Sequence, residues 1–133
     1  HSLLSSKYHE AQMYQLNIHA EIPDPVIHSY LTDLDLAVVL GHLMNNAIDG
    51  ARKAHEGFIS IAYFDEEGCQ SFIVESAISD EKALLSMMSS QIPINGGDAG
   101  INAVQDILER YPNTSFSVRS QKHKMMQILE MRP

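Results

Sequence analysis

Apolar residues fall into two rhythms along this chain, one helical and one alternating. From Asp35 to about Ala54, Leu36, Leu40, Leu43, Ala47 and Ala51 recur at three- and four-residue spacing and predict the strongest helix. Residues 2–15 carry Leu3, Leu4, Tyr8, Ala11 and Met13 at looser helical spacing. "INAVQDILERY" (101–111) predicts an amphipathic helix stopped by "YPN". "SDEKALLSMMSSQ" (79–91) starts like a helix, with Ser79 as N-cap and Asp80 and Glu81 in the first turn. The alternating rhythm begins at "LNIHAEIP", which places Ile18, Ala20 and Ile22 on one face of a strand closed by Pro23 and Pro25. "GFISIAYFDEEGCQSFIVES" predicts two strands around an Asp-Glu-Glu-Gly turn, and "TSFSVRS" and "MMQILEM" two more around "QKHK". "DPVIHSYLTDL" reads as a connector and "IPINGGDAG" as a glycine-rich loop.

Strand pairs joined by hairpins exclude a purely parallel sheet. The order predicts an α/β two-layer sandwich, a mixed sheet with helices packed on one face. With 133 residues, 44% of them apolar and 20% charged, the chain suits one compact domain. A net charge of −8 and the absence of a basic stripe argue against nucleic acid as a partner. The single Cys69 makes no internal disulfide, which fits a reducing compartment. No apolar run has the length of a membrane span, so no direct membrane contact is expected. The opening without an initiator Met suggests a piece of a longer, membrane-anchored protein.

The candidate chemistry lies in "LGHLMNNAIDGARK", residues 40–53. On a helical wheel, His42, Asn46, Asp49 and Lys53 form a stripe flanking the apolar face, at spacings of four, three and four. Asn46 lies nearest the apolar edge, whereas Asn45 points further toward solvent. A carboxamide half inside a cavity can coordinate a hard cation through its oxygen, although Asn on a helix flank is more often simply solvated. The second feature is "GGDAGINAVQDIL", a glycine-rich loop opening into a helix, where free N–H groups and the positive dipole end suit phosphate. Together they suggest a metal–nucleotide site between two helices over a sheet.

"LGHLMNNAIDGA" resembles the N box of the GHKL ATPases, which include gyrase, the heat-shock ATPases and the sensor histidine kinases. "GGDAGINAVQDILERYPN" resembles their second G box with its following helix. "LLSSKYHEAQMYQLNIHAEIP" resembles the lead-in of the peptide-pheromone receptor kinases. The resemblance implies a Bergerat-type sandwich over residues 16–133, preceded at 1–15 by the end of a dimerisation helix or linker. It implies the ATP-binding catalytic domain of a sensor histidine kinase, with ATP and Mg²⁺ as cofactors. Asn46 takes the place of the metal-coordinating Asn and Lys53 that of a phosphate contact. Met88 to Asn95 would form a short lid, and Gly97, Gly100 and Ile101 would line the phosphate side. His42 is a candidate general base, and also fits a solvated or hydrogen-bonded flank histidine. The phosphoacceptor histidine would stand on an upstream dimerisation helix outside these residues. A response regulator would receive the phosphate, and the location would be the cytoplasmic side of a bacterial receptor.

Three positions depart from the family pattern. His42 stands where kinases usually have an Asn. Ser76 follows the strand "SFIVE" where the pheromone-receptor branch places an Asn, and Asp80 is a candidate substitute for reading adenine. Asp98 occupies a glycine position of the second G box, where a carboxylate would repel a triphosphate unless Mg²⁺ intervenes. These departures motivate an alternative expectation, a degenerate GHKL domain kept as a protein-interaction module. An anti-sigma serine kinase is a more distant alternative, and the lead-in segment argues against it.

Overall fold

In the computed structural model, residues 2–21, 29–54, 57–79, 98–121 and 123–133 are described. They form α1 (Ser2–Met13), β1 (Asn17–Glu21), α2 (Asp33–Lys53), β2 (Phe58–Glu66), β3 (Cys69–Ala77), α3 (Asp98–Arg110), β4 (Thr114–Gln121) and β5 (Lys124–Met131). The sheet runs β1-β2-β3-β5-β4. β1 lies parallel to β2, and every other pair is antiparallel, so the sheet is mixed as the hairpin pattern predicts. The expected helix over 79–91 and the lid over Met88–Asn95 lie outside the described residues, apart from Ser79, which is not helical.

Alternation along each strand decides which residues enter the core. Ile59, Ile61 and Tyr63 of β2, Phe72 and Val74 of β3, and Leu129 and Met131 of β5 share one core with Leu36, Leu40, Leu43 and Ala47 of α2. β2 and β3 meet through Glu67 and Gly68, whose φ values of 53° and 85° make the mirror-image two-residue turn that right-twisted strands favour. β1 is an edge strand: Ile18 is half-buried and Ala20 exposed, so its apolar face is less covered than the alternation alone suggests.

α2 is buried over a wider arc than a single stripe, with Val39, Met44 and Ile48 joining the five expected positions. The cause is packing on three sides, since α1 and α3 both lie against α2 while it covers the sheet. Only a narrow line, including Leu34, Val38, Asn45 and Arg52, stays exposed. α1 is held there by Ala11, fully buried, and by Lys7, whose ammonium donates to Asn45 Oδ1 at 2.6 Å.

α2 starts two residues earlier than its apolar spacing predicts, because Thr32 caps it and accepts from the Asp35 N–H at 3.2 Å. Asp35 is itself a latch between helices. Its carboxylate accepts from the Tyr111 hydroxyl at 2.7 Å and from Arg110 Nη2 at 3.0 Å, tying the start of α2 to the end of α3. The Tyr111 hydrogen bond is the main cause that holds the Asp35 carboxyl below the usual carboxylate range; burial opposes it, and Thr32 and Arg110 reinforce it. α3 also begins early, at Asp98, so the last three residues of "IPINGGDAG" belong to the helix and not to the loop.

Candidate functional site

The stripe that the wheel places beside the apolar face of α2 divides sharply on burial. Asn46 is fully buried and His42 is 8% exposed, while Asn45 is exposed. The two adjacent asparagines are thus different in kind: Asn45 meets Lys7 at the surface, and Asn46 faces the sheet. Lys53 sits in the last turn, largely exposed, with its ammonium 3.3 Å from Asp49 Oδ2. That pair costs little to break, so the Lys53 ammonium is free to turn toward an anion.

Asn46 does not project into the sheet unaided. Its Nδ2 donates to Gln127 Oε1 at 3.2 Å, and Gln127 Nε2 donates to the backbone carbonyl of Leu43 at 2.9 Å. Gln127 is fully buried and stands on the inward beat of β5, between Met125 and Leu129. Asn46 Oδ1 is left buried with no hydrogen-bond partner among the described residues. A buried acceptor in that state costs about 1–3 kcal/mol in an otherwise satisfied interior. An amide oxygen is a hard, neutral donor of the type Mg²⁺ takes, and Asn46 Oδ1 fits such an ion.

Three further polar atoms share this condition: His42 Nε2, Ser76 Oγ and Ser120 Oγ. The strand register relates the serines to Asn46's support. Ser76 of β3 faces Met125 of β5, which faces Ser120 of β4, so the two hydroxyls flank one methionine across a single row of the sheet. The next inward row holds Val74, Gln127 and Val118. Ser76 therefore lies diagonally beside Gln127 on the helix-covered face. Close approach of α2 to this corner depends on Gly50, one turn beyond Asn46. A Cβ there would stand 3.0 Å from Ile78 Cγ2 and 3.3 Å from the Ala77 carbonyl oxygen.

His42 is a titratable group of this corner with a displaced pKa. Burial pushes its imidazole below the ordinary histidine range, so it is neutral at pH 7. A neutral imidazole offers one nitrogen as acceptor and one as donor, and Nε2 is uncommitted.

Asn46, His42 and Ser76 are thus brought into the same buried region, and Lys53 lies at its solvent end. Asp80 and Gly97 lie outside the described residues. Gly100 is placed in the first turn of α3, and the side chain of Ile101 is not described. Gln127 and Ser120 are additions that sequence reasoning missed. Each stands on an inward, apolar beat of its strand, in "MMQILEM" and "TSFSVRS", and that polar interruption was the available signal. Two surface grooves lie elsewhere. One of about 740 Å³ sits on the opposite face of the sheet, between Phe64, Ser71 and Ile73, and another of about 280 Å³ lies beside Arg110 and Tyr111. Neither is lined by any of the four unpartnered atoms.

Among the described residues no three His, Cys, Asp or Glu side chains converge as a metal cage. No helix among them is long and apolar enough to cross a membrane.

Solved structures of histidine kinases share the architecture. The catalytic domain of the histidine kinase ThkA, in a nucleotide-free form, superposes with a TM-score of 0.75 at 15% identity, covering 98% of this chain and 90% of that one. The Acinetobacter baumannii histidine kinase AdeS gives 0.69 at 14% identity, covering 98% of this chain and 61% of that one. Full-length ShkA in complex with AMPPNP gives 0.70 at 14% identity, covering 98% of this chain and 29% of that one. No curated protein sequence matches the chain. At these identities the structures establish the fold, that of histidine kinase catalytic domains. The sequence family described as the GHKL domain matches residues 31–132, which take in α2 with its asparagines, β2 to β5 and α3. On that match, the chain belongs to the GHKL domain family.

Proposed function

We propose that this domain binds Mg-ATP and serves as the catalytic domain of a sensor histidine kinase, transferring the γ-phosphoryl group to a histidine. The observation that carries the reading is Asn46 Oδ1 on the N-box helix, a fully buried amide oxygen with no partner among the described residues. Membership of the GHKL family supports it, and so does the ligand in the ShkA complex. Mg²⁺, when bound, would neutralise charge on the phosphates. Asn46 would hold it through Oδ1. Ser76 Oγ, fully buried, would accept from or donate to the base. The backbone N–H groups that open α3, at Asp98 to Gly100, would face phosphate oxygens, with Gly97 and Ile101 beside them. Lys53 would exchange Asp49 for a phosphate. Neutral His42 would accept a proton or hydrogen bond near the reacting end.

The phosphoacceptor histidine would be supplied by a dimerisation helix of the same protein, of which α1 would be the end, and a response regulator would receive the phosphate. The peptide-pheromone receptor branch, and with it a cytoplasmic place behind a membrane anchor, fits the "LLSSKYHEAQM" lead-in. Isothermal titration of ADP with and without Mg²⁺ tests the reading, with Mg²⁺-strengthened binding expected. No heat at millimolar nucleotide would overturn it. That outcome would favour a degenerate domain used as an interaction module, the reading that His42, Ser76 and Asp98 motivate.

A further inference from the structure

The orientation of an Asn carboxamide has two choices, and here a chain of hydrogen bonds selects one. The chain begins at the Leu43 carbonyl, a group that can only accept. It accepts at 2.9 Å from Gln127, so the Gln127 NH₂ must face Leu43. That fixes the other end of the Gln127 amide as an oxygen, pointing at Asn46. Asn46 must then present its NH₂ to Gln127, at 3.2 Å, and its oxygen to the opposite side, where it has no partner among the described residues. Gln127 and Asn46 are both fully buried, so no solvent competes with either bond. Reversing either amide would set oxygen against oxygen or NH₂ against NH₂.

We infer that Gln127 is a positioning residue for the metal-facing oxygen of Asn46, acting through Asn46 and not by contact with the ligand. The inference rests on the proposed Mg-nucleotide reading and extends it to a residue on β5, 81 positions away from Asn46. The geometry is that of an outer partner that orients a metal ligand. Gln is suited to the place because it donates and accepts at once. A methionine of similar length does neither. A protonated glutamic acid does both, with its hydroxyl donating to Leu43 and its carbonyl oxygen accepting from Asn46.

The experiment compares ADP affinity in EDTA and in Mg²⁺ for the wild-type domain, Gln127→Met and Gln127→Glu at pH 6. Loss of an outer partner costs about 10- to 100-fold in metal affinity, so Gln127→Met should lose about that factor from the Mg²⁺-dependent gain while keeping its affinity in EDTA. Gln127→Glu at pH 6 should retain the gain. An unchanged Mg²⁺ gain in Gln127→Met, or equal loss in both variants, overturns the positioning role. A wild-type domain with no Mg²⁺ gain overturns the nucleotide reading and the role together. If Gln127→Met does not fold, the wild-type chain carries the test by NMR. The Asn46 NH₂ protons should exchange slowly with solvent and show a cross-peak to the Gln127 side chain, and rapid exchange overturns the inference.

Discussion

Replacing Asn46 by aspartate changes one NH₂ into an oxygen and almost nothing in size, which makes it a direct probe of the buried amide chain. In the wild-type domain Asn46 Nδ2 donates to Gln127 Oε1. In Asn46→Asp a carboxylate oxygen faces Gln127 Oε1, and Gln127 cannot turn its NH₂ to meet it without abandoning the Leu43 carbonyl. An uncompensated buried charge costs about 3–5 kcal/mol, a large part of the roughly 5–15 kcal/mol that stabilises a domain. The carboxyl escapes that cost by keeping its proton, since a carboxylic acid O–H can donate to Gln127 as the amide did. Its folded pKa therefore rises above the unfolded value of about 3.9. Between those two values the folded state holds more protons than the unfolded state, so stability falls as pH rises. The fall is at most about 1.4 kcal/mol per pH unit, so the full penalty develops over roughly three units. Urea denaturation of both proteins in EDTA at pH 4.5, 6 and 7.5 measures it. The gap between wild type and variant should be small at the lowest pH and widen to about 4 kcal/mol at the highest. A small gap that stays constant over the range would show that Gln127 turns freely, and the directional reading of the amide chain would be wrong.

Tyr111→Phe removes the hydroxyl that donates to Asp35 at 2.7 Å and should cost about 1.5–3 kcal/mol, as hydrogen bonds to charged groups do. For 133 residues at about 2.1 cal/mol/K each, 1 kcal/mol is roughly 4 °C, so calorimetry should find melting lowered by about 5–11 °C. Because the Asp35 pKa is depressed in the folded state, its contribution is present above about pH 4 and is lost as pH falls through the folded value. The variant should accordingly lose less stability than wild type on acidification, and an equal loss would refute Tyr111 as the main cause. Ser76→Ala deletes a fully buried hydroxyl that has no partner among the described residues, so stability should rise, by about 1–3 kcal/mol. The same change should weaken nucleotide protection in a thermal-shift series, and full protection would remove Ser76 from the base site.

Periodicity exposed most of the fold because the strands that carry the core are half-buried and α2 is amphipathic. The alternation of Ile59, Ile61 and Tyr63, and the helical spacing of Leu36 to Ala51, are direct records of which side is dry. Boundaries were less legible, for local reasons. Thr32 lengthens α2 at its start through a side-chain bond that apolar spacing does not encode. Asp98, Ala99 and Gly100 look like loop in composition yet form the first turn of α3. In the candidate site, the position of Asn46 at the apolar edge was visible on the wheel, and its full burial agrees. Its partner was not visible, because the link to Gln127 depends on the register of β5, which a single sequence fixes only weakly. The one sign was a glutamine on a beat otherwise held by Met125, Leu129 and Met131.

The unpartnered atoms bear on function independently of any motif. Asn46 Oδ1, Ser76 Oγ, Ser120 Oγ and His42 Nε2 each lack a hydrogen-bond partner among the described residues, in a region that burial has largely dried. At about 1–3 kcal/mol apiece, four such atoms are a heavy burden for a domain of ordinary stability. Alanine or leucine at these positions would remove the penalty, so the fold alone gives no reason for the polar residues. The Gln127 amide shows that the same interior bonds a polar side chain at both ends where structure is its task. The contrast separates two kinds of buried polar group within a few residues of each other. Gln127 is bonded at both ends and holds position; Asn46 is bonded at its NH₂ end only, and its oxygen is the side that a ligand would complete.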